Sequence, residues 1–343
     1  MTDNMLSAAE DDAVFDHMRR WRAEGRRIVL ASVIRAWNSS PRPVGSHLAV
    51  ADDGRFAGSV SGGCVEGVVI GAAKQVLEDG VPRTLDFGIS SELAWENGLA
   101  CGGRIQVFVA RMPFDLLDRL LDCRSRRLPV LTVTRMRDGV SALLDETGMA
   151  GNLPLAPDRM EWARAFLSRE DSFVADWHGE AYFARFYPVP VHLVIIGAVH
   201  LAQTLARMAI LAGFEVYVID PRRAFATKER FPDVDLICEW PDEALRKFPP
   251  DRRTAMVAVS HDSKLDDPAL VSALAGGCFY VGALGSSRTH AARIERLSSM
   301  GFEKHARRIH GPVGLDLGGR GVAEMAIAIL AQIIQQLHSG AKA

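Results

Sequence analysis

The stretch that most restricts the fold runs VHLVIIGAVHLAQTLARMAILAGFEVYVIDP, residues 191–221. Its first apolar run, Val191 to Ile196, reads as a strand buried on both faces. Gly197 follows, then apolar residues at helical spacing from about Leu201 to Ala212, closed by Gly213. A second run, Glu215 to Ile219, ends on Asp220, 23 residues beyond Gly197. Strand, glycine turn, helix, strand and acid in that order make a Rossmann-type crossover unit. In such a unit the helix start faces a pyrophosphate and the acid bonds ribose hydroxyls. Apolar runs at Thr254 to Ser260 and Phe279 to Leu284, with helical stretches around Leu270 and Ile294, continue the order of a doubly wound parallel sheet. Val322 to Leu337 is apolar on most faces and is expected as a buried terminal helix.

The phosphate turn of this unit is unusual. Its string is Gly197, Ala198, Val199, His200, Leu201, Ala202. The first glycine is present and Ala202 suits the third place, but Val199 sets a branched side chain where a phosphate would lie. Gly197, His200 and Asp220 are the candidate nucleotide contacts, with His200 standing in for the lost glycine. A plain cap or a solvent-facing histidine is the alternative. A second phosphate-compatible loop, GALGSSR, offers Gly282, Gly285, Ser286 and the charge of Arg288. His261-Asp262, after a strand, reads equally as an acid/base pair or a turn, and Gly314, Asp316 and Gly318 as crevice lining or a turn.

At 343 residues the chain exceeds one ordinary core, and domains of about 150 residues give roughly two. Pro188 and Pro190 mark a stiff boundary, so we divide the chain into 1–187, a mixed α/β domain, and 188–343, the Rossmann-like domain. Forty basic against 42 acidic residues give a net charge of −2, which provides no excess to hold nucleic acid or an anionic membrane. No run is long and apolar enough for a membrane span, and the acidic start, MTDNMLSAAEDD, lacks the pattern of a signal peptide. A cytoplasmic protein is expected. Five scattered cysteines without a CxxC pair fit free thiols and disfavour disulfides or a closed zinc site.

Two of those cysteines sit in glycine loops. In the first domain a helix around Val14, Met18 and Trp21 precedes a strand, Ile28 to Ile34, and a hairpin turning at Asp53-Gly54. Next comes SVSGGCVEG, Ser59 to Gly67, opening a helix that Gly80 ends, and then strand Arg104 to Ala110. A thiol at a helix start, as Cys64 is, feels the positive end of the dipole, which favours the thiolate, a nucleophile and soft-metal ligand. Amides of Gly62 and Gly63 with hydroxyls of Ser59 and Ser61 can hold an anion beside it. ACGGR repeats the theme with Cys101, Gly102 and Gly103. The plain alternatives are buried cysteines at tight turns and, for Glu66, a first-turn acid. No histidine stands out as a base for a cysteine nucleophile, so ligand binding leads. Cys123, Cys238 and Cys278 carry no motif. Residues 112–190 show a helix (Phe114 to Leu121), a strand (Leu128 to Thr134) and turns, without a chemical motif.

Taken together, SSPRPVGSHLAV, GSVSGGCVEG, ACGGRIQVFV, VAVSHD, YVGALGSSRTHAARIERL and HGPVGLDLG make the chain resemble the XdhC/CoxI family, accessory proteins of molybdenum hydroxylases such as xanthine dehydrogenase. The resemblance implies a chaperone that binds molybdenum cofactor (molybdopterin), protects it while a cysteine desulfurase installs its terminal sulfur, and delivers it to the apo-hydroxylase. By the same resemblance Cys64 contacts the molybdenum, Gly62 and Gly63 lie near the pterin phosphate or dithiolene, and Cys101 is the second choice. Implied partners are a xanthine dehydrogenase-like molybdenum hydroxylase, a cysteine desulfurase and a cofactor-maturation enzyme, and a homodimer is expected. The family's glycine-rich turn is broken here at Val199, which weighs against NAD(P). Two other functions compete: an NAD(P)-dependent oxidoreductase using Gly197 and Asp220, and a sulfur transferase carrying a persulfide on Cys64 or Cys101.

Overall fold

The computed structural model describes residues 7–37, 40, 42–88, 103–155, 157–169 and 171–339. The chain divides into two compact units, one covering Ser7–Val189 and the other beginning at Pro190.

The first unit opens with α1 (Ser7–Ala23), which buries Val14, Met18 and Trp21, the helical stripe expected from the sequence, and Phe15 beside them. Strands β1 (Ile28–Trp37), β2 (His47–Ala51) and β3 (Phe56–Gly58) form a meander whose second turn is at Asp53-Gly54. Helix α2 (Glu66–Asp79) and strands β4 (Arg83–Phe87) and β5 (Arg104–Arg111) complete an antiparallel sheet of order β3-β2-β1-β5-β4. Val69, Ala73, Val76 and Leu77 of α2 pack onto Val29, Ala31, Val33, Val107 and Val109 of the central strands. Each such Val or Leu contributes about 1.5–3 kcal/mol on burial, which anchors α2 and so fixes the loop ahead of it.

The motif-free stretch after residue 112 builds a second antiparallel sheet. Helix α3 (Phe114–Ser125) leads to β6 (Val130–Arg135), β7 (Ser141–Asp145), β8 (Gly148–Gly151), α4 (Pro157–Arg169), β9 (Phe173–Trp177) and β10 (Glu180–Tyr187), in sheet order β8-β7-β6-β10-β9. A buried polar cluster links α1, the first sheet and β10. His47 shares hydrogen bonds with Ser32 Oγ through Nδ1 (2.8 Å) and with the Tyr187 hydroxyl through Nε2 (3.1 Å). Arg185 Nη2 donates to Asp11 Oδ2 at 2.7 Å. Burial, with the Arg185 charge adding to it, pushes the His47 imidazole well below its usual range. Burial raises the Asp11 carboxyl to about 6, against the opposing pull of Arg185.

In the second unit the strands are β11 (His192–Ile196), β12 (Glu215–Ile219), β13 (Asp235–Ile237), β14 (Thr254–Ala258), β15 (Tyr280–Ala283) and β16 (Ile309–His310). All pairings are parallel and the order is β13-β12-β11-β14-β15-β16, the doubly wound Rossmann arrangement expected from the sequence. Helices α5 (His200–Leu211) and α10 (Val322–Ser339) cover one face, and α6 (Pro241–Lys247), α7 (Ser263–Ala275), α8 (Ser287–Ser299) and α9 (Glu303–Ala306) contribute to the other. Both central strands, β11 and β14, are buried along their whole length, which is why they read as unbroken apolar runs. The terminal helix departs from the expectation: α10 buries Ala326, Ala328, Ile329, Ile333 and Leu337 and leaves Ile327 48% exposed, because its packing is on one side.

Candidate functional site

The loop Ser59–Val65 is ordered from within by Glu66, the first residue of α2. Its Oε1 accepts from the Ser59 hydroxyl (2.6 Å) and the amides of Val60 (3.2 Å) and Ser61 (3.0 Å). Its Oε2 accepts from the Ser61 hydroxyl (2.6 Å) and the amides of Gly63 (3.0 Å) and Val65 (3.2 Å). The Gly62 amide donates to Ser59 Oγ at 2.8 Å. Partial burial opposes the charge, but the donors from Ser59 and Ser61 outweigh it and hold the Glu66 carboxyl down at about 2. The loop's anion is therefore the protein's own carboxylate. This corrects the expectation that the Gly62 and Gly63 amides and the Ser61 hydroxyl await a phosphate; Ser61 is buried and faces Glu66.

Two features of the loop remain turned outward. Cys64 is a free, exposed thiol. Gly62 and Gly63 hold φ of +80° and +123°, a region that disfavours side chains, and a Cβ at either would meet no atom within 4 Å. The thiol thus stands beside a stretch of bare backbone with open space before it. Sequence reasoning misses this role of Glu66; the signal that could have found it is two serines, Ser59 and Ser61, placed seven and five residues ahead of an acid at a helix start.

At the sheet's switch point β11 and β14 end side by side. A Cβ on Gly197 would lie 2.8 Å from Ser260 Cα, so only glycine lets these strand ends approach, at a φ of +102°. Val199 is half-buried and packs against the apolar cluster that α5 and α10 share with the sheet, which eases the steric objection raised from sequence. His200 is exposed at the first position of α5. Asp220 is fully buried and its oxygens are taken: the Ala198 amide donates to Oδ2 (2.8 Å), Arg222 Nη2 to Oδ2 (2.7 Å), and the Arg222 amide and Nε to Oδ1 (both 2.9 Å). Burial opposes its charge, yet these donors keep the carboxyl low. The expectation that Asp220 presents itself to ribose hydroxyls is corrected accordingly.

The sequence profile of the XdhC and CoxI family matches residues 21–88, and that of the XdhC Rossmann domain matches residues 193–333. A Bacillus subtilis (strain 168) protein, named as a probable xanthine dehydrogenase subunit, is 30% identical over 315 residues, which are 90% of this chain and 92% of that one. The chain belongs to the XdhC and CoxI family. Escherichia coli (strain K12) has a further relative, the molybdenum cofactor insertion chaperone PaoD, 26% identical over 92% of this chain and 85% of its own. A crystal structure described as that of a xanthine dehydrogenase from Bacillus halodurans shares the fold with a TM-score of 0.78 at 28% identity, covering 95% of this chain and 96% of that one.

The other positions singled out in this XdhC-type chain take plainer places. Cys101 and Gly102 lie outside the described residues, and Gly103 is buried just ahead of β5. Gly285 turns with φ +142° into α8, whose cap is Ser286, accepting from the Thr289 amide at 3.2 Å, and Arg288 is exposed on the first turn. His261 is exposed with φ +64°, while Asp262 caps α7 by accepting from the Lys264 amide at 2.9 Å, so this dipeptide is a turn and not an acid/base pair. Asp316 accepts from Gly318 (3.2 Å), and the Gly314 amide donates to Gln332 (2.9 Å), which makes their segment a shaped turn. Burial pushes the Cys123 and Cys278 thiols up to about 12 each. Cys238 is exposed. Among the described residues no group of three or more His, Cys, Asp or Glu is placed to hold a metal ion, and no helix is long and apolar enough to cross a membrane.

Proposed function

We propose that this chain carries molybdenum cofactor as cargo, shields it while a cysteine desulfurase sulfurates it, and passes it to a xanthine dehydrogenase-like molybdenum hydroxylase. The observation that carries this reading is Cys64: an exposed thiol on a loop held rigid by Glu66, flanked by two glycines whose faces are open. A thiolate is a soft ligand suited to molybdenum, and bare backbone lets a flat, bulky pterin dithiolene come close. One protein ligand holds the cargo and still allows its release. The names of the B. subtilis and E. coli relatives support the same role. Cys101 is the second candidate ligand, a cofactor-maturation enzyme the donor, a homodimer the working assembly and the cytoplasm its place. With the amides of Gly62 and Gly63 satisfied internally, the cofactor's phosphate is not assigned to them.

Cofactor released from a molybdenum enzyme and mixed with the purified chain should co-elute with it. Cys64→Ala should retain it at least about tenfold more weakly, a difference of about 1.4 kcal/mol. Retention and delivery to an apo-hydroxylase equal to wild type would remove the proposal.

A further inference from the structure

The carboxyl edge of the parallel sheet has a feature that cofactor carrying does not use. In a Rossmann unit the acid ending the second strand accepts hydrogen bonds from a free ribose diol. Asp220 occupies that place but is closed to a diol, since Ala198 and Arg222 already fill both of its oxygens and the residue is fully buried. A diol would have to pull a guanidinium off a buried carboxylate, leaving both charges poorly paired.

What the edge presents instead is cationic. The Arg222 side chain is 40% exposed, and its guanidinium carbon lies 4.3 Å from the centre of the Phe225 ring, itself exposed. Arg223, beside it, is exposed and makes no ion pair among the described residues. The remaining acid that faces Arg222 is Asp262, the cap of α7, and one of its oxygens is engaged by the Lys264 amide. Asp220 takes the Nε and Nη2 edge of this guanidinium, which, with one face on an aromatic ring, keeps its other face for a stacked base and its Nη1 side for phosphate oxygens. Beside the glycine turn that would receive the rest of such a ligand, Val199 is half-buried against the core cluster.

We propose that this edge binds an adenine dinucleotide whose ribose carries a 2′-phosphate, held by Arg222 and Arg223, and discriminates against the dinucleotide with a free diol. The probes are NADPH and NADH, titrated by ligand fluorescence against the full chain. NADPH should bind at least about tenfold more tightly than NADH. Arg223→Ser should weaken NADPH about fivefold and leave NADH unchanged. Arg222→Ser should weaken NADPH and strengthen NADH, because it frees Asp220. Should that variant fail to fold, the wild-type ratio and Arg223→Ser decide. No binding of either nucleotide at about 1 mM, equal affinity for the two, or an unchanged NADPH affinity in Arg223→Ser overturns the proposal.

Discussion

At the scale of single residues, the molecule uses two carboxylates as internal anions where a glycine loop would otherwise invite a foreign one. Glu66 gathers the amides and hydroxyls of its loop, and Asp220 gathers the Gly197 turn and Arg222. Glu66→Gln keeps the shape but turns part of the acceptor into a donor facing N–H groups. With the site half-exposed and solvent-screened, we expect a loss of about 1 kcal/mol, read as faster hydrogen exchange at the Gly63 and Val65 amides. Because the folded Glu66 carboxyl lies below its usual 4.5, at about 2, its contribution is present above pH 4.5 and is lost as pH falls through about 2. Exchange rates unchanged by the substitution at pH 7 would show that Glu66 does not order the loop.

At the scale of elements, the buried cluster of His47, Ser32, Tyr187, Asp11 and Arg185 ties α1 and the first sheet to β10. His47 stays neutral in the folded state, while in the unfolded chain it titrates near 6.5. Its contribution is therefore present above pH 6.5 and falls by up to about 1.4 kcal/mol per unit below it. Asp11 acts in the opposite sense: with a folded value of about 6 against the usual 3.8, its contribution is present below pH 3.8 and lost as pH rises through about 6. His47→Gln should cost about 1–3 kcal/mol at pH 7 in urea unfolding, and the gap from wild type should narrow towards pH 5. A gap that stays constant between pH 7 and 5 would assign His47 a packing role only. Little of this cluster was legible in the sequence, because Asp11 and Arg185 stand 174 residues apart and no local pattern joins them. Elements set by local periodicity, α1, α2 and the β11–α5–β12 unit, read correctly. The second antiparallel sheet was legible only in β6 and the helix ahead of it: no chemical motif bounds its other strands, and β10, which joins its two hairpin-connected parts, pairs with β6 across the whole of the intervening segment. Val199 misled for a related reason: its position in the turn is visible in the sequence, but its packing against the core cluster of the second unit is not.

At the scale of the whole molecule, each unit closes its own cores and carries its own outward chemistry: a thiol beside bare glycine backbone in one, an arginine pair at a sheet edge in the other. The Rossmann order was the most constraining feature of the sequence, yet the cargo reading rests on the other unit, where Cys64, exposed among the described residues, is the first candidate ligand. Cysteine alkylation mapped by mass spectrometry tests that most directly, since the described cysteines supply their own controls. Cys238 is exposed and should react alike with or without cofactor, whereas Cys123 and Cys278 are buried and should stay slow. The central claim predicts that cofactor loading protects Cys64 from alkylation while leaving the rate at Cys238 unchanged; equal Cys64 rates in loaded and unloaded protein would contradict it.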